Sequence, residues 1–255
     1  MILDRFRLTD RVAIVTGAGR GIGAGIASAM ARVGATVAIV DIDGESAAAH
    51  AAAIESAGGI VAAHAGDVRD KSFIENVVAE TTAAHGTVDI LVNNAGIIRD
   101  NLVDKIGEDD WDLVLDVNLK GAFLCSQAVV PGMKERGRGK IVNIVSAVWL
   151  GNPGQSNYSA SKGGLVSLTR TLALELARYK INVNGVSPGF IDTPLTRSLP
   201  DEVRERRIRI QPIREMGTVD DVAGAVCFLA SGLARFITGQ ILHVDGGKSC
   251  GRLAL

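Results

Sequence analysis

Short β-branched and apolar runs alternate with longer amphipathic stretches along the whole chain. Strand-like runs fall at residues 12–16, 36–41, 60–65, 88–92, 140–145, 181–187 and 240–244. Helical periodicity occupies residues 22–33, 46–57, 73–84, 111–133, 158–178 and 219–230. Strands alternating with helices are the signature of βαβ units, whose parallel sheet is covered on both faces. The pattern predicts an α/β fold with seven parallel strands. No linker, repeat or low-complexity segment divides residues 1–255, so one domain is expected. The longest stretch without a clear strand is 191–217, with Pro194, Pro200 and Pro212 around a charged run at 201–209. A long insertion late in such a fold is often functional, and this one is expected to form a lid.

Composition removes several classes of function. Lys plus Arg total 27 and Asp plus Glu total 28, a net charge of -1. That balance argues against nucleic acid as a partner, which would call for a basic face. Cys125, Cys227 and Cys250 are widely spaced, and His50, His64, His85 and His243 are scattered, so neither a disulfide framework nor a metal site is expected. The first residues carry no apolar signal core, and no apolar run reaches the ~18 residues of a membrane span. A cytoplasmic location with no membrane partner is expected.

The first strand runs into Thr16-Gly17-Ala18-Gly19-Arg20-Gly21-Ile22-Gly23, and a helix follows. Glycines let a backbone turn tightly and approach a pyrophosphate, whose charge then sits at the helix N-terminus. Asp41 ends the second strand, about 20 residues further on, where a carboxylate can accept the adenosine ribose hydroxyls and repel a 2′-phosphate. NAD is therefore preferred over NADP, although Arg20 in the turn could pair with that phosphate.

These residues begin a series that resembles the short-chain dehydrogenase/reductase family. The series continues through Asp67-Val68, Asn93-Asn94-Ala95-Gly96, Asn118, Ser146, Tyr158-Ser-Ala-Ser-Lys162 and Pro188-Gly189, and covers nearly the whole chain. The resemblance implies a doubly wound Rossmann sheet with the cofactor across the carboxyl ends of its strands. Segments 97–102 and 236–240 are similar to bacterial 3-oxoacyl-ACP reductases, which mostly use NADPH and usually lack an acid where Asp41 stands.

Hydride transfer at a carbonyl carbon requires a proton to reach or leave the oxygen. Tyr158 can carry it as general acid/base. A free phenol has a pKa of ~10, and an adjacent ammonium stabilises the phenolate. Lys162 lies four residues on, on the same helix face. Ser146 can donate a hydrogen bond to the substrate oxygen. The resemblance implies that Asn118 bends its helix and holds a water connecting Lys162 to solvent.

It also implies cofactor contacts beyond Gly17, Arg20, Gly21, Ile22, Gly23 and Asp41. Asp67 and Val68 flank the adenine, with the carboxylate toward its amine. Asn94, Ala95 and Gly96 line the ribose and the cleft floor. Tyr158 and Lys162 face the cofactor as well, and Pro188, Gly189, Ile191 and Thr193 meet the nicotinamide amide. Trp149 is either a substrate wall beside Ser146 and Tyr158 or part of the core.

The reading is an NAD-dependent secondary alcohol dehydrogenase or ketone reductase. The alternatives are a 3-oxoacyl-thioester reductase and, lower, a non-catalytic NAD(H) sensor. Lys134, Arg136, Arg138, Arg178 and Lys180, or Arg204, Arg206, Arg207 and Arg209, could dock an acidic acyl-carrier protein, but the preferred reading of both sets is solvated helix faces. The helices at 111–133 and 158–178 imply, by resemblance, a homotetramer. Residues 250–255 either cross to a neighbouring subunit or fray.

Overall fold

The computed structural model describes residues 2–251. Residues 252–255, and with them most of the C-terminal segment, lie outside the described residues. The strands are β1 (Val12–Thr16), β2 (Thr36–Asp41), β3 (Ile60–Ala65), β4 (Ile90–Asn93), β5 (Gly139–Ile144), β6 (Ile181–Pro188) and β7 (Ile241–Val244). All pair in parallel in the order β3-β2-β1-β4-β5-β6-β7. The order reverses between β1 and β4. The strands there feed helices on opposite faces, which opens a crevice at their carboxyl ends.

The helices are α1 (Ile2–Phe6), α2 (Gly21–Arg32), α3 (Gly44–Ser56), α4 (Lys71–His85), α5 (Glu108–Leu115), α6 (Gly121–Arg136), α7 (Ser156–Leu176), α8 (Pro194–Arg197), α9 (Asp201–Arg209) and α10 (Val219–Ala230). Side chains alternate across a strand, and β1 shows it. Ala13 and Val15 enter one cluster with Ile26 and Met30 of α2, Ile54 of α3 and Val226 of α10. Ile14 enters the other with Val77 of α4, Met133 of α6 and Leu176 of α7. Both faces are packed, so β1 is apolar throughout.

Several boundaries differ from expectation. β4 starts at Ile90 because Asp89 is held outside the strand: its carboxylate accepts from Val12 N (3.2 Å) and pairs with Arg138 (3.4 Å). The helix expected at 111–133 is α5 and α6 joined by a π turn, Asp116–Lys120. This stretch, Glu108–Arg136, is long and apolar enough to cross a bilayer by length and composition alone. Here Cys125, Val129 and Met133 pack into the second cluster instead. Residues 191–217 hold α8 and α9, and a clasp closes their base: Asp192 N donates to Gly217 O (2.8 Å) and Gly217 N to Phe190 O (3.0 Å).

Candidate active site

The turn after β1 is shaped by glycines and locked from β4. Gly17 has φ +61°, and a Cβ there would lie 2.8 Å from Ala95 Cα. A Cβ on Gly23 would run into Gly17 O and Asn94 Nδ2. Thr16 Oγ1 accepts from Asn94 N (3.0 Å) and Ala95 N (3.0 Å). Asn94 Nδ2 donates back to Thr16 O (2.9 Å) and Gly17 O (2.9 Å). The Asn94 side chain therefore braces the turn.

Helix α2 then begins with no side-chain cap and no acid in its first turn. By contrast, Asp43 caps α3 and Asp70 caps α4. Gly21 (φ +60°) adds open space, with nothing within 4 Å of the point a Cβ would occupy. Uncapped N–H groups facing open space are what a dinucleotide diphosphate requires, so these residues fit the cofactor. Asp41 stands beside them. Its Oδ2 accepts from Gly19 N (2.8 Å) and its Oδ1 from Asp43 N (3.0 Å). Arg20 is the residue preceding α2, and its charge helps hold the Asp43 carboxyl below its ordinary value, behind the hydrogen bonds from Ser46.

Sequence reasoning missed His50. From α3, its Nδ1 bonds Ala18 O (2.8 Å) and its Nε2 bonds Ser28 Oγ of α2 (2.9 Å), pinning the turn from behind. A lone histidine in an alanine-rich helix carries no local signal of that role.

Asp67 has a partner within the chain. Its carboxylate accepts from Arg69 Nε (2.8 Å) and Nη2 (2.6 Å), which holds it below the usual carboxylate range. Val68 is buried and lies against Gly121.

The four candidate catalytic residues converge. Ser146 follows β5, with its Oγ accepting from Val148 N (3.3 Å). Tyr158 and Lys162 lie one turn apart on α7, with Nζ 5.7 Å from the phenol ring centroid. Lys162 is buried and donates to Ile144 O (2.8 Å). Asn118 occupies the π turn. Its Oδ1 accepts from Ile97 N (2.8 Å), and its Nδ2 donates to Ile97 O (3.0 Å) and Ser161 Oγ (3.1 Å). Ser161 Oγ in turn donates to Tyr158 O (2.8 Å). A Cβ on Gly96 would stand 3.3 Å from Asn118 Oδ1 and 3.6 Å from Lys162 Nζ, which places the cleft floor against this group.

The Tyr158 phenol is raised to about 12, chiefly by burial, while hydrogen bonding to Ser146 pulls it down. Burial lowers Lys162 to about 8. Desolvation dominates the phenol, and Lys162 Nζ gives one of its three N–H donors to Ile144 O. At neutral pH the pair is a neutral phenol beside an ammonium, a state ready to deliver a proton.

The lysine carries a stability cost whose sign follows from its pKa. Its folded value lies below the unfolded one, so the unfolded chain binds more protons between about pH 8 and 10.5, and stability rises with pH across that window. Lys162→Met removes the cost but leaves Ile144 O without its donor. Near neutral pH it should gain roughly 2 kcal/mol of stability while losing turnover. Chemical denaturation of both proteins across pH checks this, and a less stable variant with the same pH slope would contradict it.

The remaining candidates take local roles. Gly189 permits close approach, since its Cβ would sit 2.6 Å from Asp245 Cα. Pro188 ends β6, and Ile191 is buried at the lid clasp, bridged to Gly217. Thr193 caps α8 through Thr196 N (3.3 Å). Trp149 packs with Leu165 and Val166 and stacks on His243 at 6.3 Å, consistent with the core alternative. Several of the basic residues are engaged within the chain: Arg136 donates to Val88 O (2.6 Å), Arg138 pairs with Asp89 (3.4 Å), and Lys134 and Arg178 lie over the Tyr179 ring.

A family model described as enoyl-(acyl carrier protein) reductase matches residues 17–249. A (2S)-[(R)-hydroxy(phenyl)methyl]succinyl-CoA dehydrogenase subunit of Thauera aromatica is 43% identical over 242 residues, 95% of this chain and 98% of its own. A 3-oxoacyl-[acyl-carrier-protein] reductase of Thermotoga maritima is 43% identical over 242 residues, 94% of this chain and 98% of its own. A gluconate 5-dehydrogenase of Burkholderia cenocepacia J2315, solved with NADP and tartrate, shares 40% identity with a TM-score of 0.93, covering 98% of this chain and 100% of its own.

Proposed function

The chain belongs to the short-chain dehydrogenase/reductase family of oxidoreductases, and from that premise we propose that it interconverts a secondary alcohol and a ketone with NAD as its cofactor. The observation that carries the reading is the convergence of Ser146, Tyr158 and Lys162 beside the glycine turn. Bound NAD or NADH would supply the hydride acceptor or donor. Tyr158 passes the proton between its phenol and the substrate oxygen, and Ser146 steadies the charge on that oxygen. Lys162 holds positive charge beside the phenol, and Asn118 fixes Ile97 against α7. Asp41 supports NAD, because a 2′-phosphate would face its carboxylate.

A second reading, reduction of a 3-oxoacyl thioester, is favoured by the thioester substrates that two relatives' names carry. The internal engagement of Arg136, Arg138, Lys134 and Arg178 weighs against a carrier-protein dock at that face. Turnover of acetoacetyl-CoA beside cyclic and aryl ketones, followed by loss of reduced-cofactor absorbance, separates the two. Turnover of ketones with little of the thioester supports the first reading; brisk thioester turnover alone would replace it with the second. Silence on both, with NADH bound, would leave only the sensor.

We also propose a homotetramer formed through α6 and α7. The reading is supported by apolar side chains at Phe123 (43% exposed) and Leu174 (83% exposed) on those helices. Light scattering should return the mass of four chains; a monomer would contradict it.

A further inference from the structure

We propose that Gln211 is a positioning residue: its buried amide ties the 191–217 excursion to Phe190 and so holds that excursion as a lid over the substrate side of the cleft. The inference rests on the reaction proposed at Ser146 and Tyr158.

The anchor point lies beside the candidate catalytic residues. Val145 N donates to Val186 O (2.7 Å), so Ser146 after β5 and Ser187-Pro188 at the end of β6 stand side by side at the carboxyl edge of the sheet. Phe190 follows directly and is buried. The excursion meets its backbone and its ring. Phe190 N donates to Gln211 Oε1 (3.4 Å), and Phe190 O accepts from Gly217 N (3.0 Å). The Arg207 guanidinium of α9 lies over the ring, 5.6 Å from its centroid.

Gln211 is 2% exposed although it lies in the loop after α9. A buried amide needs partners at both ends. While Oε1 takes Phe190 N, Nε2 donates to Glu215 O (2.6 Å) and closes the turn 211–215. Arg214 N donates to Gln211 O (3.0 Å) across the same turn. Arg214 holds φ +59°, a left-handed conformation that a non-glycine residue keeps only where its surroundings fix it. Ile213 N donates to Gly246 O (3.2 Å), which ties the turn to the segment after β7. The two helices above this base have little else to hold them. Neither α8 nor α9 contains a buried residue. Their ion pairs, Arg197 with Asp192, Arg204 with Asp201 and Arg209 with Glu205, are internal to the excursion and do not fasten it to the sheet. A segment with so little burial is one that opens locally, and its base decides where it rests.

Gln211→Met keeps the length of the side chain and removes both bonds. With NADH bound, trypsin should cut the variant at the exposed Arg206, Arg207 and Arg209 about tenfold faster than wild type, with cleavage elsewhere unchanged. KM for a ketone substrate should rise about tenfold while kcat moves by less than about threefold. NADH affinity should stay within about twofold, because the glycine turn and Asp41 lie across the sheet at β1 and β2. A Gln211 that only supports the fold would lower the melting temperature and leave both KM and the cleavage at the lid as in wild type; that result overturns the proposal. If the variant fails to fold, hydrogen exchange in the wild type decides. The amides of Phe190 and Gly217 should then open as one unit, at rates within about threefold of each other. A Phe190 amide protected ten times longer or more than that of Gly217 also overturns the proposal. Activity retained in Tyr158→Phe would instead sink the proposed reaction, while the cleavage ratio, read without substrate, still decides the anchor; the two failures are distinguishable.

Discussion

Tyr158→Phe should lower kcat for a secondary alcohol by about 10³-fold, in the middle of the range for losing a positioned acid or base. Its NADH affinity should stay within about twofold of wild type. Phenylalanine keeps the ring and loses only the oxygen that Ser146 hydrogen-bonds. The backbone around it is held independently: Tyr158 N donates to Asn157 and Tyr158 O accepts from Ser161. A folding defect would therefore be small. Stopped-flow turnover together with fluorescence titration of NADH separates chemistry from binding. Loss of both together would point to a collapsed cleft, and retention of activity would remove the phenol from the chemistry.

The second large effect concerns cofactor choice. Asp41→Asn should improve kcat/KM for NADPH relative to NADH by about ten- to a hundredfold, equivalent to relieving roughly 1–3 kcal/mol of repulsion. Asparagine keeps one oxygen for Gly19 N, so the turn retains the bond that ties it to β2. Asparagine also keeps a polar atom for the proposed ribose contact, so NADH binding should weaken only modestly. Paired steady-state assays with both nicotinamides read the ratio. An unchanged ratio would mean that the adenosine ribose lies elsewhere.

The sheet was legible wherever burial on both faces forced a continuous apolar run. β1 and β2 occupy the expected residues because their pattern reflects helices packed above and below, while β3, an edge strand with no fully buried residue, was read from its β-branched and apolar run alone. The glycine turn was legible because close backbone approach excludes Cβ atoms, a local demand written directly into residue choice. The four residues that converge at the cleft were singled out through a resemblance that spans the chain. What stayed hidden depends on partners distant in sequence. The π turn at Asn118 goes with a carboxamide that binds Ile97, on a loop across the cleft. His50 bonds Ala18 O, and Gln211 bonds Phe190 N. The ion pair of Asp67 with Arg69 was likewise not read from the sequence. The phenol's acidity is hidden for a related reason: an adjacent lysine is visible in sequence, and the desolvation opposing it is not.

The proposed reaction is hydride transfer to or from NAD, with its adenosine ribose at Asp41, and proton transfer at Tyr158. Its most direct test compares kcat/KM for NADH and NADPH in reduction of a cyclic or aryl ketone that the enzyme turns over, with wild type and Tyr158→Phe assayed together. A clear preference for NADH, lost turnover in the variant and unchanged NADH binding are the expected results. A preference for NADPH, or turnover that survives without the phenol, would contradict the proposed reaction.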